Sequence, residues 1–179
     1  PHFETFANAA LDDAAAEVGD LAGKDIVDVA AGPGTLSLLA AQRGAQVRAL
    51  DFSPSMIESL QQRAKGVSID AVVGDGQALP WPDQSADAAF SMFGLMFFPD
   101  RDKGFRELHR VLRPGGVAVV SSWIEVKEVP LLRDALVTLN TAMKQPAPAP
   151  PRPGLSLPDD YTREMAAAGF RYSSLGRTA

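Results

Sequence analysis

Between Asp25 and Asp51 the chain reads D-I-V-D-V-A-A-G-P-G-T-L-S-L-L-A-A-Q-R-G-A-Q-V-R-A-L-D, and no other stretch narrows the fold as much. Ile26, Val27 and Val29 form a short apolar run, the pattern of a strand buried on both faces. Gly32-Pro33-Gly34 breaks that run. Glycine has no Cβ, so the backbone turns sharply there and lets a ligand come close. Thr35 to Ala41 is apolar and free of breakers, which predicts a helix closed by Gly44. Gln46 to Leu50 reads as a second strand with Asp51 at its carboxyl end. In doubly wound α/β folds, an acid about 20 residues past such a turn is where a nucleoside ribose is gripped.

That layout leaves the ligand open. A dinucleotide site wants G-x-G-x-x-G and a helix N-terminus under a pyrophosphate. Gly32-x-Gly34 is present, but Ser37 stands at the third glycine position. A nucleoside without phosphates needs less close approach. The acid-led loop Asp28-Val29-Ala30-Ala31-Gly32-Pro33-Gly34 resembles the first motif of class I S-adenosylmethionine-dependent methyltransferases, where an acid precedes G-x-G-x-G. Ala30 replaces the first glycine. A strand, glycine turn and helix without a ligand is the plainer alternative at this point.

The chain has 179 residues, 46% hydrophobic and 22% charged, which suits one domain with an ordinary core. It contains no apolar run of about 18 residues, so no spanning helix and no membrane insertion are expected. No signal peptide is read at the start, which is Pro1. There is no cysteine, which excludes disulfides, thiolate metal sites and cysteine nucleophiles. A cytoplasmic setting agrees with that, and no metal is expected. The net charge of -5 and the lack of a lysine or arginine cluster argue against nucleic acid as a partner.

Phe3 to Val18 has helical periodicity, with Phe3 and Phe6 read as core or, alternatively, as a cap over the ligand. Ser53 and Pro54 read as N-cap and first position of a helix running to about Ala64. Val67 to Val73 reads as a third strand, followed by Gly74-Asp75-Gly76, and Ala86 to Met92 as a fourth. Asp100 or Asp102 is expected to cap the next helix, which carries Phe105, Leu108, Val111 and Leu112 on one face. Arg113-Pro114-Gly115-Gly116 has type II turn chemistry, and Val117 to Ser121 reads as strand five. Beyond it lie a predicted helix from Pro130 to Met143, a proline-rich stretch and a helix from Tyr161 to Ala168. A sixth strand is predicted from Phe170 to Leu175.

Further motifs support the resemblance, which is dense from Ile26 to Trp123: Leu79-Pro80-Trp81-Pro82-Asp83 with Asp87, and R-E-L-H-R-V-L-R-P-G-G from Arg106 to Gly116. It is closest to the small-molecule methyltransferases of the ubiquinone and menaquinone type. The resemblance implies a three-layer Rossmann-like sheet, mostly parallel, of order 3-2-1-4-5-7-6. This chain ends at strand six, so the last strand is expected to be missing and strand five to offer an open edge for self-association. Residues 1–24 are read as a helical cap, 25–123 as the cofactor-binding core, and 124–179 as the acceptor side with its helix, proline-rich loop and sixth strand.

The resemblance also implies S-adenosylmethionine as cofactor. Asp28, Ala30, Gly32 and Gly34 would form its loop, and Asp51 would hold the ribose. Phe52 and Met56 would pack on adenine, although core packing is an equal reading for Met56. Asp75 would accept from the adenine amine, Gly76 would meet the ring, and Ser91 would lie at the strand-four tip. Phe93 and Trp123 are the expected walls for a small, apolar or aromatic acceptor. No catalytic base is assigned. His109 reads as a partly exposed helix residue, and neither it nor His2 sits at a strand's carboxyl end. The [ND]-P-P-Y motif of adenine and glutamine amino-methyltransferases is absent after strand four. The alternatives are a nicotinamide-dependent oxidoreductase, which leaves Gly74-Asp75-Gly76 unexplained, and a domain that binds the cofactor without turnover.

Overall fold

The computed structural model describes residues 2–123 and 158–171. Its elements are α1 His2–Val18, β1 Asp25–Val29, α2 Thr35–Gln42, β2 Gln46–Asp51, α3 Pro54–Arg63, β3 Ile69–Val73, β4 Ala86–Met92, a 3-10 turn at Leu95–Phe97, α4 Arg101–Val111, β5 Leu112–Ser121 and α5 Pro158–Ala167. The five strands form one sheet in the order β3-β2-β1-β4-β5, every pair parallel. This is the expected doubly wound α/β architecture. The expected helix at 130–143 and the proline-rich stretch lie outside the described residues. So does the predicted sixth strand beyond Phe170 and Arg171, which follow α5 as irregular chain.

β1 is the central strand and sends apolar side chains to both faces beside the buried Asp28. Val27 and Val29 join Phe105, Leu108 and Tyr161 in one core, against α4 and α5. Ile26 joins Leu11, Ala14, Leu36 and Phe90 in the other, against α1 and α2. α1 therefore packs on the sheet through Ala7, Ala10, Leu11 and Ala14. Phe3 is 56% exposed, so it is not a core residue. Strand three starts at Ile69 and not Val67, because Val67 N–H closes a turn on Ala64 C=O, with Gly66 at φ 87°.

The two motifs that carry the resemblance beyond the glycine loop are joined by ions. Arg110 donates from Nη1 to Trp81 C=O at 2.9 Å and to Asp83 at 2.7 Å. Its Nη2 donates to Leu79 C=O at 3.0 Å and to Glu107 at 2.7 Å, and its Nε to Glu107 at 2.7 Å. Glu107 in turn accepts from Leu79 N–H at 2.7 Å. The R-E-L-H-R helix thus clamps the L-P-W-P-D loop. Further on, Arg113 pairs with Asp25 at 2.7 Å and Asp87 at 2.9 Å, locking the strand starts together. The R-P-G-G turn is a bulge inside β5: Ala86 pairs with Leu112 but Ala88 with Val117. α5 docks on α4 through Arg101 and Glu164, bidentate at 2.8 and 3.1 Å.

Removing Arg110 leaves two loop carbonyls and a half-buried Glu107 short of partners. Arg110→Ala should lower stability by about 2 kcal/mol. Arg110→Lys should recover only part of that, because an ammonium cannot reproduce the guanidinium fork. Urea unfolding measures both, and the emission of Trp81, which is 8% exposed, should shift to the red in the alanine variant. Unchanged unfolding in Arg110→Ala would show the clamp to be dispensable.

Candidate cofactor site and family

The glycine loop leaves β1 at Val29 and enters α2 at Thr35. Gly34 is the N-cap, left-handed at φ 81°, and a Cβ there would sit 2.5 Å from Leu60 Cγ on α3. Only glycine meets both demands. Pro33 C=O accepts from Arg63 Nη1 at 2.6 Å, which ties the loop to the last turn of α3. Asp51, at the tip of β2, accepts from Gly32 N–H at 2.8 Å and from Ser53 N–H at 2.9 Å. Gly74 N–H donates to Asp51 C=O at 3.0 Å, so the tip of β3 is anchored to the same residue.

Asp28 lies beneath the loop, 1% exposed, and accepts from Ser37 Oγ at 2.6 Å. The serine at the third glycine position is therefore engaged in fixing α2 onto β1. Burial pushes the Asp28 carboxyl up to about 6, against the pull of the Ser37 hydrogen bonds, and the nearby Asp51 charge raises it further. Asp75 is exposed at the β3 tip, and the Gln77 side chain and N–H hold its carboxyl below the ordinary range. Gly76 beside it is buried.

Phe52 is 80% exposed and Met56 is 41% exposed, so Met56 is not the core residue of its alternative reading. Ser91 is fully buried, and its hydroxyl accepts from Leu95 N–H at 3.1 Å. It supports the turn after β4 and presents no surface to the crevice. Phe93 leaves that strand left-handed, at φ 58°, with its N–H donating to Ser121 C=O at 3.2 Å and Ser121 Oγ at 3.1 Å. Its ring stacks on Trp123 at a centroid distance of 4.3 Å. Phe3 and Phe6 meet Phe93 edge-on at 5.7 and 5.3 Å. Of the two readings of Phe3 and Phe6, core or cap over the ligand, their contacts with Phe93 favour the second. His109 faces Phe170 at 5.1 Å, away from these groups. Among the described residues no group of three His, Asp or Glu is placed to hold a metal ion, and no helix is long and apolar enough to cross a membrane.

The glycine loop, Asp51, Asp75 and Phe93 lie within a stretch that matches a family. A model described as "Methyltransferase domain" matches residues 27–120, more than half of the chain. The chain belongs to the class I S-adenosylmethionine-dependent methyltransferases. The family's cofactor is S-adenosylmethionine. An uncharacterised protein of Mycobacterium tuberculosis is 42% identical over 112 residues, covering 62% of this chain and 40% of that protein. A demethylmenaquinone methyltransferase of Clavibacter sepedonicus is 42% identical over 117 residues, covering 65% of this chain and 47% of that one. The chain thus spans less than half the length of these two relatives. Among solved structures, an S-adenosylmethionine-dependent methyltransferase from Mesorhizobium loti superposes with a TM-score of 0.58 at 29% identity, over 66% of this chain and 55% of its own. The [4+2]-cyclase SpnF superposes at 0.70 with 23% identity, over 93% and 57%, a likeness of fold alone.

The buried Asp28 of this methyltransferase chain makes stability depend on pH. The folded state holds its proton more tightly than the unfolded chain, so stability falls as pH rises from about 4 to about 6 and is level above that. Each tenfold in proton affinity is worth about 1.4 kcal/mol, so the ionised carboxylate costs roughly 3 kcal/mol at neutral pH. Asp28→Asn keeps an acceptor for Ser37 and removes the charge. Its stability relative to the native chain should improve by about 2 kcal/mol between pH 4.5 and 7, since about 1 kcal/mol of the cost is already present at pH 4.5, measured by urea unfolding at both. A constant difference at the two pH values would refute it.

Proposed function

We propose that the chain binds S-adenosylmethionine above β1, β2 and β3 and transfers its methyl group to a small, largely apolar or aromatic acceptor. The observation that carries this reading is the Asp51 carboxylate, fixed by two backbone N–H groups beside the glycine loop. Two of its lone-pair sites are used, which leaves two for ribose hydroxyls. Charge supports the same choice. Asp28 and Asp51 stand within electrostatic reach of each other around the loop. Such a loop favours a ligand carrying a sulfonium and an ammonium group, and repels a pyrophosphate. The nicotinamide reading lacks its third glycine, whose position is held by Ser37 bonded to Asp28.

Asp28, Ala30, Gly32 and Gly34 would shape the loop under the ligand, Phe52 and Met56 would pack on the adenine, and Asp75 with Gly76 would meet its edge. The methyl group would then point toward the β4 tip, where Phe93 and Trp123 stack. In the reaction an electron pair on the acceptor atom forms a bond to the methyl carbon as the carbon–sulfur bond breaks, releasing the neutral thioether S-adenosylhomocysteine. An acceptor that begins as O–H, N–H or C–H must also lose that proton. The leaving group comes with the cofactor, so the protein supplies alignment and dryness. Alignment of this kind lowers a barrier by roughly 7–11 kcal/mol. Two features favour a ring-shaped acceptor: the aromatic group at Phe3, Phe6, Phe93 and Trp123, and the quinone in the name of the Clavibacter sepedonicus relative.

Calorimetry with S-adenosylmethionine, S-adenosylhomocysteine and NADH tests the cofactor. The first two should bind and NADH should not. Asp51→Asn should weaken both by roughly ten- to hundredfold, the worth of a hydrogen bond to a charged group. Tight NADH binding with silence toward S-adenosylhomocysteine would reverse the assignment. Methyl transfer from labelled cofactor to a panel of phenols and hydroquinones tests the acceptor side. Phe93→Ala should lose turnover while keeping its affinity for S-adenosylhomocysteine. If affinity and fold stability fall together and acceptor selectivity stays as it was, Phe93 is core and the acceptor lies elsewhere.

A further inference from the structure

Both carboxylate oxygens of Asp75 are engaged by one neighbour. Oδ1 accepts from Gln77 N–H at 2.9 Å and from Gln77 Nε2 at 3.0 Å, and Oδ2 accepts from the same Nε2 at 3.2 Å. The other end of that amide is also committed: Gln77 Oε1 accepts from Asp100 N–H at 2.8 Å. Asp100 is itself fixed as the N-cap of α4, its Oδ1 accepting from Lys103 N–H at 2.9 Å. A carboxylate demands the NH₂ end and a backbone N–H demands the oxygen end, so the amide has one orientation that serves both. The exposed Asp75 is thereby tied to the first turn of a helix, and its free rotamers are removed before any ligand arrives.

We propose that Gln77 is a positioning residue for nucleobase recognition: its amide holds Asp75 as a fixed, acceptor-only group, so that the site selects a base presenting an exocyclic amine. This rests on the reading above that the adenosyl end of the cofactor lies at the β3 tip. A held carboxylate accepts from the 6-amine of adenine and repels the 6-oxygen of hypoxanthine. Selectivity then comes from a repulsive contact as well as an attractive one. The same clamp favours the ionised form of Asp75, in keeping with its lowered carboxyl.

The test compares dissociation constants for S-adenosylhomocysteine and its 6-oxo analogue S-inosylhomocysteine in the native chain, Gln77→Leu and Gln77→Glu. The native chain should prefer the adenine ligand. Gln77→Leu should lose roughly five- to tenfold on it, the range for a weakened charge-assisted hydrogen bond, and change little toward the analogue. Gln77→Glu keeps an oxygen for Asp100 N–H but sets another against Asp75, so it should bind the adenine ligand worse than Gln77→Leu does. Thermal unfolding establishes that each variant is folded. Equal losses for both ligands in Gln77→Leu, or native-like binding in Gln77→Glu, would overturn the proposal. If the native chain binds S-adenosylhomocysteine without discriminating between the bases, the clamp has no such role although the cofactor assignment survives. If it binds neither ligand, the cofactor assignment fails with it.

Discussion

The Asp51 carboxylate accepts from Gly32 N–H at 2.8 Å and from Ser53 N–H at 2.9 Å, and so pins the glycine loop and the entry to α3 to the tip of β2. Its own carbonyl holds Gly74, and with it the start of the β3 loop. Every segment proposed to touch the cofactor's nucleoside half is referenced to this residue or to one bonded to it. Backbone N–H donors to a carboxylate are about twice as strong as neutral pairs, and they cost no side-chain entropy on the donor side. An asparagine would offer one acceptor end and one donor end and could not satisfy both N–H groups equally. The acid at the end of β2 thus orders the loop as well as facing the proposed ligand. A nucleoside site takes over a group whose orientation the backbone has already set.

The charge balance behind the loop follows the same logic. Asp28 sits below it, fully buried, at a cost in stability that the Ser37 hydrogen bonds only partly offset. A residue that destabilises the resting chain is expected where function and not folding sets the sequence. Two acids around a loop with left-handed residues at 30, 32 and 34 form a locally negative cradle, and a cationic ligand relieves it. The stability dependence on pH and the proposed preference for a sulfonium ligand are two consequences of one arrangement.

Most of the sheet was legible because periodicity and glycine spacing act locally. The first βαβ unit, the fourth strand, the Asp100 cap and the α5 region all follow from side chains within a few residues of each other. What was not legible depends on residues far apart in the chain. Arg110 reaches back 29 and 31 residues to Trp81 and Leu79. Seen alone, R-E-L-H-R is an amphipathic helix and L-P-W-P-D a loop; their contact exists only after the sheet has formed. The exposure of Phe3 is hidden for the same reason. Its helical spacing matches a core face, but it is more than half exposed and meets Phe93 and Trp123, residues 90 and more positions away. Gln77 carried no signal either, since its partners Asp75 and Asp100 meet only when the β3 loop and α4 are side by side.

Ala30 and Phe93 show how the two sides of the proposed site are coupled. Both are left-handed without being glycine, at φ 59° and 58°. Such a conformation costs roughly 1–2 kcal/mol for a residue with a Cβ. Each ends a neighbouring strand, since β1 pairs with β4. Gly94, next to Phe93, packs so tightly on the Ala30 methyl that no side chain fits there. The strain at position 93 therefore persists because Gly94 and Ala30 are pressed together, while Ser121 grips the Phe93 N–H from the other side. The result is a ring turned toward α1 and stacked on Trp123, which an extended backbone at 93 would not produce. Alanine in place of the first motif glycine then has a physical meaning: its methyl is the surface against which the β4 turn is set. A loop on the proposed cofactor side thereby fixes the direction of the aromatic residue on the proposed acceptor side.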